Sequence, residues 1–150
     1  TFRLNLKTNS MKKREAVSTI MKRDLWTLDV NQSNLSEAKS IMEEKHIRHL
    51  PVVKREKLVG MISLTDIHRI SFGANYNQAE QVDSAIFKSL TLEQVMKSDP
   101  TTINSNTTIK EVAETLAKEE FHALPVVDES NKLEGIVTTT DLVNYLIDQY

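Results

Sequence analysis

At 150 residues the chain is about one domain's worth, enough to bury roughly two thirds of its unfolded surface. Its 19 basic and 21 acidic residues leave a net charge of −2, so it lacks the strong basic excess of a nucleic-acid binder. It holds no cysteine, which removes disulfides and thiolate metal sites, and no apolar run approaches the ~18 residues that cross a bilayer.

Residues 1–14 carry Arg3, Lys7, Lys12, Lys13 and Arg14, with no acid before Glu15. They read as a solvated basic leader, with Phe2, Leu4 and Leu6 alternating as in a strand, rather than as an arm for an anionic partner. Thr1 to Ser10 lack the apolar core of a secretory signal, so a cytoplasmic location is expected.

Val17 to Met21 is a short helical lead-in. Asn34 followed by Glu37 resembles a capping box and opens a helix with Leu35, Ala38, Ile41 and Met42 on one face. The period then changes. Leu50-Pro51-Val52-Val53 is too short and too β-branched for a helix, and Pro51 suits a strand's first residues or a sheet edge. Lys54 to Lys57 form a polar turn and Leu58 to Ile62 return as a second strand, which predicts an antiparallel hairpin. Ser63 ends that strand before a helix containing Ile67 and Ile70. From Ser71 to Ser89 the pattern lapses, with a loop at Phe72 to Asn77 and a short helix within Gln78 to Lys88.

Then the whole order recurs. Met21-Lys22 and Asp24 return 75 positions later as Met96-Lys97 and Asp99, and Leu50-Pro51-Val52-Val53 returns 74 later as Leu124-Pro125-Val126-Val127. Gly60-Met61-Ile62-Ser63-Leu64-Thr65-Asp66 returns as Gly135-Ile136-Val137-Thr138-Thr139-Thr140-Asp141. Between them Thr108 and Glu111 make a capping box, with Ile109, Val112, Ala113, Leu116 and Ala117 on one helical face. Leu142, Tyr145 and Leu146 lie in the last helix. Three matched blocks in one order mean an internal duplication. The expected organisation is a leader at 1–14, a first repeat at 15–71, a linker at 72–89 and a second repeat at 90–150. The expected fold class is α+β, with two pseudo-twofold-related β-α-β-β-α units packed sheet to sheet, since one such unit buries its sheet poorly alone.

This doubled pattern of Met-Lys-x-Asp, amphipathic helix, Leu-Pro-Val-Val and Gly-h-h-Ser/Thr-x-x-Asp resembles the cystathionine β-synthase (CBS) domain, as a tandem pair called a Bateman module. The resemblance covers about residues 15–148 and extends to stand-alone pairs described as acetoin-utilisation-like. It implies a regulatory, non-catalytic module with clefts between the repeats. Such clefts take AMP, ADP, ATP or S-adenosylmethionine as regulatory ligands, with no obligatory cofactor and no metal. It also implies a homodimer of pairs and an unidentified protein partner that receives the signal.

The resemblance assigns roles to particular residues. Asp66 and Asp141 would hold the ribose hydroxyls, for which a carboxylate has lone pairs enough, although each is equally placed to cap its helix. Ser63 and Thr138, beside the first N–H groups of those helices, would meet ribose or phosphate, or simply bond their own turns. Arg48 and His49 in the first copy and His122 in the second would reach phosphate. An arginine against a histidine makes the two sites chemically unequal. Thr27, Leu28, Met61 and Ile62, with Thr102, Ile103, Ile136 and Val137, would line the adenine, or serve as ordinary strand core. His46 and His49 have no third ligand nearby, and Trp26 reads as a surface or dimer-contact residue.

The alternative reading is a ligand-independent dimerisation or protein-interaction module. An enzyme is disfavoured, because no Walker-type loop, cysteine nucleophile or metal-ligand spacing is present. Membrane and nucleic-acid partners are disfavoured on composition.

Overall fold

The computed structural model describes residues 14–71, 85–119 and 121–150. The basic leader up to residue 13 and most of the linker, 72–84, lie outside the described residues.

The described chain divides into two compact units. One holds Trp26–Pro100, and the other joins the residues up to Leu25 to Thr101–Tyr150. In the first, β1 (Leu28–Asp29) leads to helix α1 (Leu35–Lys45), the hairpin β2 (His49–Lys54) and β3 (Lys57–Ser63), and α2 (Leu64–Ser71). A helical stretch at 85–89, a short α3 (Leu92–Val95) and β4 (Lys97–Ser98) complete it. The sheet runs β1-β2-β3-β4, with β1 parallel to β2 and the other pairs antiparallel.

The second unit begins with a 3₁₀ turn, Val17–Thr19, and continues with α4 (Ile109–Lys118), the hairpin β5 (Ala123–Val127) and β6 (Leu133–Thr138), and α5 (Thr139–Asp148). Its flanking strands shrink to single bridges, Ile103 parallel to Val126 and Lys22 antiparallel to Ile136. These match β1 on β2 (Leu28 with Val52) and β4 on β3 (Lys97 with Met61) in the other unit. The α+β class and both predicted hairpins are therefore present.

Local chemistry explains the elements. Asn34 accepts from the Glu37 N–H at 2.9 Å to open α1, and Thr108 and Glu111 form a reciprocal box at the start of α4. The first hairpin turns through Arg55 and Glu56, both with positive φ, as a tight two-residue turn on right-twisted strands requires. Each hairpin carries a register shift at the same place, after Val52 and after Val126. Pro51 is not at a sheet edge, since β2 lies between β1 and β3. It is tolerated because β1 begins to pair only at Val52, one residue on.

One core gathers Leu28, Leu35, Ala38, Met42, Leu50, Val52, Ile62 and Ile67 with Phe87 and Leu92. The other gathers Val17, Met21, Val112, Leu124, Val126 and Val137. The helical face expected for α4 is narrower in fact. Ile109 and Val112 are buried and Leu116 packs on the core, whereas Ala113 and Ala117 at one edge of the stripe are exposed. Leu146 in the last helix is also exposed.

The lead-ins are exchanged between repeats. Met96 and Lys97 belong by sequence to the second repeat but lie against β3 of the first, while Met21 and Lys22 lie against β6 of the second. Glycine makes this approach feasible. A Cβ on Gly135 would sit 2.8 Å from the Lys22 carbonyl oxygen and 2.9 Å from the Met21 sulfur. A Cβ on Gly60 would meet the Met96 side chain and the Lys97 carbonyl in the same way. Gly135→Ala is therefore expected to cost about 1–3 kcal/mol by overpacking against backbone. Urea unfolding monitored by circular dichroism should show it, and a midpoint equal to wild type would contradict the close approach.

Candidate functional site

In both units the last strand ends at a hydroxyl residue and the last helix begins at once. Thr138 is extended and caps α5, its Oγ1 accepting from the Asp141 N–H at 3.2 Å. Asp141 Oδ2 returns the favour, accepting from the Thr138 N–H at 2.8 Å and from its hydroxyl at 3.0 Å. In the first unit Ser63 Oγ accepts from the Asp66 N–H at 3.1 Å, and Asp66 Oδ2 accepts from the Ser63 N–H at 2.9 Å. The capping interpretation of both aspartates is therefore correct, and it occupies one oxygen of each.

The other oxygen meets a cation. Asp141 Oδ1 lies 3.6 Å from Lys22 Nζ, and Asp66 Oδ1 lies 3.7 Å from Arg69 Nη1. Asp141 is the only buried polar or charged residue among those described, at 8 % exposure, while the Lys22 side chain is 62 % exposed. One carboxylate thus offers a capped oxygen and a second whose neighbour is a solvated charge. Neither Lys22 nor Arg69 stood out as a site residue in the sequence. The signals were the repeated Met-Lys and the three-residue spacing from Asp66 to Arg69.

The basic candidates gather at the same helix starts. The Arg48 carbonyl accepts from Leu64 N at 2.8 Å, and the His122 carbonyl accepts from Thr139 N at 3.0 Å. Arg48 and His122 are therefore true counterparts, both exposed, each anchored by its main chain beside the helix start. His49 pairs across the hairpin with Ser63. His46 ends α1 in a left-handed conformation and His49 opens β2, so the two histidines do not share a helix. No group of three metal-ligating side chains occurs among the described residues.

The adenine candidates divide. Thr27 and Thr102 are exposed at the starts of the flanking strands and Ile103 is half-buried. Met61 and Ile136 are buried, while Leu28, Ile62 and Val137 have no exposed surface and belong to the two cores. Trp26 is half exposed, with Lys45 Nζ 4.8 Å from its ring centre.

With two complete sets of these features in place, comparison with known proteins is direct. Residues 17–73 and 92–148 each match the CBS domain. The chain belongs to the CBS domain family. Protein MJ1232 of Methanocaldococcus jannaschii is 33 % identical over 124 residues, 83 % of this chain and 37 % of its own length. A homoserine O-acetyltransferase of Methanohalobium evestigatum is 32 % identical over 148 residues, 98 % of this chain and 27 % of the enzyme. The chain thus spans well under half of these curated relatives. Among solved structures, protein MJ1225 of Methanocaldococcus jannaschii matches with a TM-score of 0.76 at 28 % identity, over 89 % of this chain and 48 % of that one. The Vibrio cholerae protein AcuB matches with a TM-score of 0.73 at 31 % identity, over 89 % and 91 %. The CBS pair of protein MJ0100, solved with 5′-methylthioadenosine and S-adenosyl-L-methionine, matches with a TM-score of 0.72 at 25 % identity, over 90 % and 98 %. CBS pairs are regulatory rather than catalytic modules, and this chain carries such a pair.

A second polar contact ties the lead-in to α5. Tyr145, one turn beyond Asp141, donates its hydroxyl to Glu15 Oε2 at 2.7 Å. That bond, with burial and the negative charge of Glu15, raises the Tyr145 pKa above the ordinary phenol value. The folded protein therefore holds this proton more tightly than the unfolded chain does. The contribution is whole below the ordinary phenol range and is lost as pH rises through the raised pKa. Tyr145→Phe should lower stability by about 1 kcal/mol at neutral pH. The gap to wild type should close in the alkaline limb of a pH series of urea melts, and a gap constant to high pH would contradict the assignment.

Proposed function

We propose that this CBS pair is a ligand-sensing regulatory module that holds adenosine nucleotides (AMP, ADP or ATP) or S-adenosylmethionine at Asp66 and Asp141. The observation that carries the reading is the doubled arrangement of the two carboxylates. Each uses Oδ2 to cap its helix and keeps Oδ1 beside a solvated cation, where ribose hydroxyls can donate. Arg48, His49 and Ser63 in one unit, and His122 and Thr138 in the other, would meet ribose or phosphate oxygens. Thr27, Met61, Thr102, Ile103 and Ile136 retain the adenine assignment better than Leu28, Ile62 and Val137, whose surfaces are spent on the cores. The complex of protein MJ0100 with two adenosine derivatives supports the ligand class. The ligand acts as a signal and not as an obligatory cofactor. A ligand shifts an equilibrium only through its different affinity for two states, so the output is a changed surface for a partner protein. No helix among the described residues is long and apolar enough to cross a membrane, and we place the module in the cytoplasm.

A second reading rests on α5. Val143, Leu146 and Ile147 follow helical spacing on α5 and are exposed, as is Tyr150 just beyond its end, a stripe suited to a second copy of the chain. This favours a homodimer, which can operate with or without ligand.

Calorimetry with AMP, ADP, ATP, S-adenosylmethionine and 5′-methylthioadenosine decides between the readings. Binding is expected, with Asp66→Asn and Asp141→Asn each weakening it by about tenfold or more, because the amide preserves a capping oxygen but loses the charge. A melting temperature indifferent to all five at millimolar concentration, in a stable dimer, would leave the interaction module standing alone.

A further inference from the structure

We propose that Lys22 sets ligand choice at Asp141, favouring adenosine ligands that carry a 5′-phosphate over neutral or cationic ones. This rests on the reading of Asp141 as the ribose-holding residue.

The base of Lys22 is fixed and its head is not. Its main chain is clamped to Ile136 in both directions, Lys22 N to Ile136 O at 2.9 Å and Ile136 N to Lys22 O at 3.0 Å. Met21 beside it is buried and abuts Gly135. The side chain, by contrast, is largely solvated and makes one ion pair, with Asp141 Oδ1. Oδ2 is committed to Thr138, so Oδ1 is the oxygen that a ribose diol must use.

A diol donating to Oδ1 therefore arrives beside an ammonium ion. That ammonium has a flexible four-carbon stem and three donors, so its head can move while the backbone stays in place. A solvent-facing ion pair is weak and is readily exchanged. A phosphate on the same ribose gives Lys22 a new anion as hydroxyls take over the carboxylate. A neutral nucleoside offers it nothing, and a sulfonium repels it. Asp66 takes its cation from Arg69 on its own helix, so the two sites differ in the origin and reach of that charge.

The test is calorimetry of the full chain with AMP, adenosine and S-adenosylmethionine in an Asp66→Asn background, which isolates the Asp141 site. With Lys22 present, AMP should bind about tenfold more tightly than adenosine, the scale of one partly solvated charge-assisted contact. Lys22→Gln should bring the ratio close to one and strengthen S-adenosylmethionine, while Lys22→Arg should keep the preference. Equal affinity for AMP and adenosine with Lys22 in place, or a ratio that Lys22→Gln leaves unchanged, overturns the role of Lys22 while the ribose reading survives. Failure of every adenosine ligand to bind sinks both.

Discussion

Everything else in the structure depends on a backbone-to-backbone approach at two glycines. Each repeat's central hairpin leaves the outer edge of its second strand unpaired, and an open edge has donors and acceptors to satisfy. The Met-Lys segment of the opposite repeat fills it, Lys97 pairing with Met61 and Lys22 with Ile136. A side chain at Gly60 or Gly135 would occupy the space that the methionine and the next carbonyl use. Because each lead-in comes from the other repeat, neither repeat of the sequence is complete by itself. Duplication and exchange are coupled, and the compact units cut across the sequence repeats.

The same contact builds the site. Pairing with Ile136 of β6 sets Lys22 beside Asp141, and the same lead-in, bridged to Thr108 through Ala16, sets Glu15 beside Tyr145, four residues after Asp141 on one face of α5. A single segment thus reads two successive turns of the helix whose start holds the candidate ribose acid. The aspartate itself has a structural duty whatever it binds, since the reciprocal cap satisfies N–H groups that would otherwise lack partners. Its two oxygens divide the labour, and that division lets one residue belong both to the fold and to a site.

The two halves are nearly symmetric, with local exceptions. The two halves share strand order, register shifts and caps, yet Arg48 faces His122 in the alignment and Arg69 replaces Lys22 as the acid's neighbour. Val143 and Leu146, exposed on α5, fall at positions where α2 carries the polar His68 and Ser71. Differences of this kind make the two helix starts and the two last helices chemically distinct.

Local rules made much of this legible in the sequence. Periodicity, caps and turn residues gave the helices α1 and α4, both hairpins, and the Ser/Thr-x-x-Asp boxes, because each of those depends on residues within a turn or two of one another. The register of the repeats fixed the family and aligned Arg48 with His122. The tertiary structure alone decided three things. It assigned Met21-Lys22 and Met96-Lys97 to the opposite repeat, exposed Ala113, Ala117 and Leu146, and placed cations on the free oxygens of Asp66 and Asp141. Each requires knowing which surface covers which, and Lys22 meets Ile136 and Asp141 across more than a hundred residues of chain. Spacing along a sequence carries no record of which sheet edge a distant strand will fill.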